Sequence, residues 1–138
     1  MIIDATDLIL GRMASLAAKK ALLGEKIEII NCEKAVLSGS KAEVIQKFKK
    51  RQQRGDTFKG PFYPRKPNMF VRRTIRGMLP YKRPKGRDAL KRVKCYLGMP
   101  NDVKPEDLKT IETANGARLK APKYITVEDL SKYLGAKI

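Results

Sequence analysis

The chain has 138 residues, of which 42% are hydrophobic, and it carries a formal net charge of +17. This length suits one domain with a buried core, so we expect a single domain over residues 1–138. No apolar run approaches the roughly 18 residues that a membrane-spanning helix needs, which argues against a membrane protein. The amino terminus lacks a basic region followed by a long apolar stretch, so we expect no secretory signal and a cytoplasmic protein.

Histidine is absent, and the only two cysteines, Cys32 and Cys95, lie far apart in the sequence. Without histidine or a CxxC pair a zinc site lacks its usual ligands, so we predict no metal. Cytosolic thiols usually stay reduced, and we expect no disulfide. The commonest general base is also missing, and no carboxylate pair or activated nucleophile stands out. The sequence therefore predicts neither catalysis nor a cofactor.

The first forty residues predict alternating strands and helices. MIID indicates a strand, and the apolar spacing from Gly11 to Leu23 indicates a helix that ends at Gly24. KIEIIN indicates a second strand, and residues 35–37 have the composition of a third short one. Strands that alternate with helices favour an α/β fold with a mainly parallel sheet.

Capping residues indicate two further helices. Ser40 and Glu43 form a capping-box pattern that opens a helix with an apolar side. Thr126 and Asp129 repeat this pattern more weakly before a short helix that ends at Gly135.

The positive charge is concentrated in the middle of the chain. Residues 1–40 carry five basic and five acidic groups, residues 97–138 carry seven and six, and residues 41–96 carry nineteen and three. A localised excess of this kind is typical of a protein that binds a polyanion. Most of the aromatic residues lie in the same segment, and interleaved aromatic and basic residues favour folded RNA over uniform duplex DNA.

Residues 55–68, GDTFKGPFYPRKPN, are rich in glycine and proline, and their prolines recur at three-residue intervals. We predict an extended basic arm here, with a solvated loop and a proline-rich peptide ligand as alternatives. The basic and aromatic residues of the segment favour an arm that lies on nucleic acid.

Two amphipathic basic helices are predicted after the arm. In FVRRTIRGML the apolar side comprises Val71, Ile75, Met78 and Leu79, and the basic side comprises Arg72, Arg73 and Arg76. Pro80 ends this helix, and a corner rich in proline and basic residues follows. Arg87, Lys91 and Lys94 then recur at i, i+4 and i+7, which predicts a second basic helical side that extends to Lys94.

The charge pattern and the arm supply a first set of candidate RNA-binding residues. Besides the two helical sides and the neighbouring Arg92, they are Lys49, Lys50, Arg51, Arg54, Lys59, Arg65 and Lys66. Candidates for stacking on unpaired bases are Phe58, Phe62, Tyr63 and Tyr81, whereas Phe48 and Phe70 suit the core. A phosphate contact is predicted at the turn Ser38, Gly39, Ser40 and Lys41, with an ordinary helix cap as the alternative.

The alternative function for a protein with an α/β fold is that of a nucleotide-dependent enzyme. The stretch ATDLILGR after the first strand has one glycine, whereas the dinucleotide fingerprint needs three. GDTFKG has the GxxxxG spacing, but Pro61 and Phe62 stand where a phosphate-binding loop needs lysine and a hydroxyl. The sequence therefore disfavours this class.

Three stretches resemble a known family. LGRMAS, NCEKAVLSG and above all RGMLPYKRPKGRDALKRVKCYLG are similar to the L-thirteen family of large-subunit ribosomal proteins. The likeness runs from Ile3 to about Pro100, is closer to the archaeal and eukaryotic branch than to the bacterial one, and with the compact length indicates an archaeal source. It is weakest over residues 101–138, which we interpret as scaffold.

The resemblance implies a mainly parallel four-stranded sheet flanked by helices, and a non-enzymatic protein that binds large-subunit ribosomal RNA early in assembly. It implies RNA contacts by Arg12, Arg76, Lys82, Arg83, Lys85, Arg87 and Lys91. The expected partners are that RNA and neighbouring ribosomal proteins, in the ribosome of the cytoplasm, without homo-oligomers. A free-standing RNA-binding regulator of translation remains the alternative.

Overall fold

Four short parallel strands form the main sheet of the protein, which a computed structural model describes over residues 1–138. In chain order the elements are β1 (Ile2–Asp4), α1 (Leu10–Leu22), β2 (Ile27–Ile30), β3 (Val36–Ser38), α2 (Lys41–Gln53), α3 (Pro67–Gly77), α4 (Pro84–Lys91), β4 (Val93–Cys95), β5 (Leu108–Lys109), β6 (Tyr124–Thr126) and α5 (Val127–Tyr133). The main sheet has the order β4-β2-β1-β5 with every neighbouring pair parallel. The predicted α/β fold with a mainly parallel four-stranded sheet is confirmed.

The predicted third strand lies outside the main sheet. β3 pairs antiparallel with β6, with Leu37 opposite Ile125, and these two strands form a separate two-stranded sheet. The pairing brings the start of α2 next to the carboxyl-terminal part of the chain. Gln52 near the other end of α2 donates a hydrogen bond to the Leu134 carbonyl at 3.0 Å, which ties the same two regions together again.

The core is built on the inner strands β1 and β2 and on one side of α1. Ile3 and Ile29 are paired across the two strands and are fully buried. The inner side of α1 is mostly alanine, including Ala14, Ala17 and Ala21, and this helix packs against α3 and α4. Small side chains let helices approach closely. The two basic helices are therefore held directly on the scaffold rather than on a detached extension.

An aromatic cluster joins α2, the proline-rich segment and α3. The ring centroids of Phe48 and Phe70 are 5.0 Å apart in an edge-to-face arrangement, and the Tyr63 ring lies 6.0 Å from each. Phe48 and Phe70 are buried, as the sequence predicts. Edge-to-face pairs stabilise a fold beyond the area they bury, so this cluster anchors the middle of the chain to the core.

The predicted extended arm is only partly extended. Asp56 and Gly60 exchange two backbone hydrogen bonds of 3.0 Å, so residues 56–60 form a closed turn. Residues 61–65 have neither helix nor strand, and Tyr63 is drawn onto the core by the aromatic cluster. The arm therefore lies against the body at Tyr63 and projects mainly at its turn.

The prediction of one basic helix that extends to Lys94 is wrong. α4 ends at Lys91, and β4 follows directly as an edge strand paired with β2. Val93 is buried and Lys94 is exposed, which is the alternation of a strand. The Ile27 N–H donates to the Arg92 carbonyl at 2.9 Å and the Tyr96 N–H to the Ile29 carbonyl at 2.8 Å. Backbone hydrogen bonds to β2 thus make residues 93–95 a strand, although the spacing of the basic residues up to Lys94 is helical.

The apolar side predicted for the first basic helix is correct at three of its four positions. Val71, Ile75 and Leu79 are buried, whereas Met78 is 43% exposed. Met78 and Leu79 both follow Gly77, the last residue of α3, and only Leu79 is buried there.

The two cysteines are neighbours in space although they are far apart in sequence. The Cys32 N–H donates to the Tyr96 carbonyl at 3.2 Å, and both thiols are free. A hydrogen bond with the Cys95 thiol, together with burial, raises the pKa of the Cys32 thiol. Cys32 therefore stays neutral and acts as a small core residue.

Gly86 allows a close contact that fixes the corner between the two basic helices. A Cβ at this position would overlap the Pro80 carbonyl, whereas a Cβ at Gly77 would meet no atom within 4 Å. We expect Gly86→Ala to lower the free energy of unfolding by about 2–4 kcal/mol, because backbone must move. Gly77→Ala should leave it unchanged or raise it by up to about 1 kcal/mol. Urea denaturation followed by circular dichroism measures both, and equal stability of the two variants would contradict this contact.

Candidate nucleic-acid interface

The predicted RNA-binding residues lie on α1, α2, the arm, α3, the corner, α4 and β4. None of the eighteen basic candidates is buried: fourteen are exposed, and Arg72, Arg73, Arg76 and Arg92 are half-buried. Their charged groups are therefore all within reach of solvent or of a ligand.

No basic candidate has a carboxylate partner within the protein. The two ion pairs in the structure are Lys20 with Glu25 at 3.7 Å and Lys132 with Glu128 at 2.7 Å, and both lie outside residues 41–96. Like charges on one helix face repel each other by a few tenths of a kcal/mol per pair. No ion pair within the protein relieves this repulsion.

Three of the predicted guanidinium groups meet at one cleft between α1, α2 and α3. Arg51, Arg54 and Arg73 line it, and its volume is about 540 Å³. The remaining lining residues are Leu10, Gly11, Leu37, Phe48, Pro61, Tyr63, Thr74 and Gly77. We name this feature the arginine cleft. Most of its lining residues come from distant parts of the chain, and no local sequence pattern marks Gly11, Leu37 or Gly77 as members.

A second, smaller groove lies beside the arginine cleft on α3. Arg72, Arg73 and Arg76 line it together with Phe62 and Leu90, among others, and its volume is about 330 Å³. Arg73 contributes to both depressions. The basic side predicted for this helix is thus assembled as one surface.

Aromatic rings and carbonyl groups hold several of these guanidinium groups in place. The Arg73 guanidinium lies 4.4 Å from the centre of the Tyr63 ring and donates to the Phe62 carbonyl at 2.9 Å. The Arg76 guanidinium lies 4.9 Å from the centre of the Tyr81 ring. A side chain ordered before binding loses less entropy when it contacts a ligand, and most of its N–H donors remain free.

The four stacking candidates differ in their exposure. Phe58 is 89% exposed and Phe62 is 69% exposed, so both rings are open to a base. Tyr63 is half-buried in the aromatic cluster, with Arg73 over its ring. Tyr81 is 38% exposed, with Arg76 over its ring. The structure thus gives the tyrosines a part in positioning arginines.

Arg12, Arg92 and Lys94 are among the candidates that line neither the arginine cleft nor the groove on α3. Arg12 donates to the Thr113 carbonyl at 3.1 Å, and Lys94 projects from the edge strand β4. Arg92 donates to the Ala21 carbonyl at 3.1 Å, in the last turn of α1. The Ala21 carbonyl also accepts from the Gly24 N–H at 3.1 Å. A cation at a helix carboxyl terminus adds a charged donor and interacts favourably with the helix dipole. Arg92 therefore stabilises α1.

The predicted phosphate turn is occupied by internal contacts. The Gly39 N–H donates to the Lys123 carbonyl at 3.0 Å, and the Ser40 hydroxyl accepts from the Glu43 N–H at 3.4 Å as the cap of α2. The Lys41 ammonium lies 5.2 Å from the centre of the Tyr133 ring, and Ser38 is exposed. The Ser40 contact is that of a helix cap, as in the alternative interpretation of this turn, and the phosphate contact stays a prediction.

No group of three or more acidic, cysteine or histidine side chains is placed to hold a metal ion. None of the helices combines the length and the apolar composition that crossing a membrane requires.

Comparison with known proteins gives a match to the sequence model of ribosomal protein L13 over residues 1–102. The chain belongs to the ribosomal protein L13 family. This confirms the resemblance of the three sequence stretches, which lie within the matched residues. The matched part includes α1 to β4, and so contains every basic candidate residue.

The similarity extends over nearly the whole chain in individual relatives from archaea. The large ribosomal subunit protein uL13 of Methanosarcina barkeri is 47% identical over 137 residues, covering 99% of this chain and 98% of the relative. The uL13 proteins of Methanococcoides burtonii and Methanocaldococcus jannaschii are 43% and 44% identical, with the same coverage of both chains. These relatives are named as ribosomal proteins and not as enzymes.

The position of Arg92 predicts an effect on stability that its neighbour Lys91 does not share. We expect Arg92→Met to lower the free energy of unfolding by about 1–2 kcal/mol, since the Ala21 carbonyl loses a charged donor. Lys91→Met removes the same charge but no hydrogen bond, and should change the free energy by less than about 0.5 kcal/mol. Urea denaturation of the two variants checks this, and an equal effect of both would show that Arg92 does not stabilise α1.

Proposed function

We propose that the protein is a structural component of the large ribosomal subunit, which binds large-subunit ribosomal RNA and supports early assembly of the subunit. The observation that carries this proposal is the set of basic side chains on α2, the arm, α3 and α4, none of which is paired with a carboxylate. Membership of the L13 family and the names of the archaeal relatives support it.

The division of charge supports a scaffold that presents an RNA-binding surface. Residues 1–40 and 97–138 are close to neutral and supply β1, β2, β3, β5, β6, α1 and α5. The strongly basic residues 41–96 supply α2, α3, α4 and β4. Phosphate oxygens accept hydrogen bonds from guanidinium and ammonium groups and would relieve the repulsion among them.

The proposed setting is the ribosome of the cytoplasm, with neighbouring ribosomal proteins as further partners and without homo-oligomers. Cofractionation of the protein with large ribosomal subunits distinguishes this function from that of a free-standing RNA-binding regulator of translation.

We expect the affinity for large-subunit ribosomal RNA to depend steeply on salt. If about eight phosphates are neutralised, the logarithm of the association constant should fall against the logarithm of salt concentration with a slope of about −5 to −7. Filter binding at several salt concentrations measures the slope. Unrelated RNA of equal length is the control, and salt-independent binding or the absence of any preference would contradict the proposal.

Arg83 is the N-cap of α4 and Arg87 lies in its first turn, and together they test the interface directly. Both are exposed, and the Arg87 guanidinium donates to the Lys82 carbonyl at 3.3 Å. We expect Arg83→Glu with Arg87→Glu to lower the affinity for ribosomal RNA by roughly tenfold or more, because two attractive contacts become repulsive. The far-ultraviolet circular dichroism should stay unchanged.

The matched control is Lys120→Glu with Lys123→Glu. These lysines are also exposed but lie in the nearly neutral carboxyl-terminal part. This variant has the same net charge as the first, and therefore differs from it only in where the charge is changed. If binding depends on the location of the charge, it should retain most of the affinity for ribosomal RNA. Equal losses in the two variants would indicate a general electrostatic attraction without a defined surface, and collapse of the first variant's fold would indicate a structural role for the corner.

A further inference from the structure

The arginine cleft combines two chemistries that a surface binding only phosphate does not need. Its apolar lining includes Leu10, Leu37 and Phe48, which come from α1, β3 and α2. Arg51, Arg54 and Arg73 place cationic groups on the same cleft. A phosphate backbone that tracks across a protein surface needs the cations alone.

The cationic groups of the cleft are free to bind an anion, and two of them are held in position. None has a carboxylate within ion-pairing distance. Arg51 lies 5.1 Å from the centre of the Phe48 ring, and Arg73 is fixed between the Tyr63 ring and the Phe62 carbonyl. A guanidinium has five N–H donors, so Arg73 retains donors after its bond to Phe62.

The size of the cleft fits a single nucleotide. Its volume of about 540 Å³ lies in the range of small-molecule sites and is larger than a phosphate group requires. A planar base suits the apolar lining, since bases stack on apolar and guanidinium surfaces. A base within a duplex is covered on both faces by its neighbours and cannot enter, whereas an unpaired base can be turned out of the helix.

We propose that the arginine cleft takes one unpaired nucleotide of the bound RNA, with the base on the apolar lining and the phosphate against Arg54 and Arg73. This inference rests on the proposed function, because it assigns part of the RNA to one place on the interface. On this proposal the protein recognises an unpaired nucleotide in addition to neutralising phosphate charge.

Two glycines allow the cleft to be filled without any change in charge. Gly11 and Gly77 both line it, a Cβ at either would meet no atom within 4 Å, and neither has a positive φ. Gly11→Leu and Gly77→Leu therefore add a side chain at the lining of the cleft, and its Cβ meets open space. Ala42→Leu is the matched control, because Ala42 is the exposed second residue of α2, as Gly11 is of α1, and lies outside the cleft.

The experiment compares one fully paired hairpin RNA with four hairpins that each carry a single bulged nucleotide, one for each of the four bases. Fluorescence anisotropy at fixed salt gives the dissociation constants, and circular dichroism checks that each variant is folded. We expect the wild type to bind at least one bulged hairpin about tenfold more tightly than the fully paired one. Both glycine variants should lose this preference while keeping their affinity for the paired hairpin, and Ala42→Leu should keep both.

The inference is overturned if the wild type binds the bulged and paired hairpins equally, or if the preference survives in both glycine variants. It is also overturned if Ala42→Leu loses the preference to the same extent. Loss of the preference alone leaves the proposed function standing, since the paired hairpin is still bound. Failure of the wild type to bind either hairpin also overturns the inference, whereas the proposed function itself is contradicted only if filter binding shows no affinity for large-subunit ribosomal RNA.

Discussion

Electrostatic repulsion within residues 41–96 is the constraint on which the structure depends. This segment contains nineteen basic groups and three acidic ones, and neither of the protein's two ion pairs lies within it. The folded state must hold these charges together by other means, because the net stability of a domain is only a small difference between large opposing free energies. The packed apolar core supplies this stabilisation, and an RNA partner would remove the repulsion.

The basic elements are anchored at a small number of points. Phe48, Tyr63 and Phe70 join α2, the arm and α3 to the core, and Tyr63 also faces the Arg73 guanidinium. Arg92 and Arg72 donate to carbonyls in the last turns of α1 and α4, so some of the cations stabilise the helices themselves. Sequence spacing alone cannot separate these structural arginines from those that remain free for a ligand, since both kinds stand in the same basic stretch.

Features that depend on residues close together in the sequence, such as helix caps, are predicted well. Ser40 caps α2 and Thr126 caps α5 as predicted, because a cap is formed within one helical turn. β4, β5 and β6 were missed because strands of two or three residues are specified by their partners β2, β1 and β3 and carry little local pattern. The arginine cleft could not be predicted for the same reason, since Leu10, Leu37 and Gly77 meet only in the folded chain.

Acetylation of lysines in the RNA complex is the most direct test of which part of the protein the RNA contacts. Lys49, Lys59, Lys85, Lys109 and Lys123 are all exposed in the free protein and should acetylate readily. In complex with large-subunit ribosomal RNA, we predict that Lys49, Lys59 and Lys85 are protected from acetylation while Lys109 and Lys123 stay reactive, as measured by mass spectrometry. Uniform protection of all five, or protection confined to Lys109 and Lys123, would contradict the claim that residues 41–96 form the RNA-binding surface.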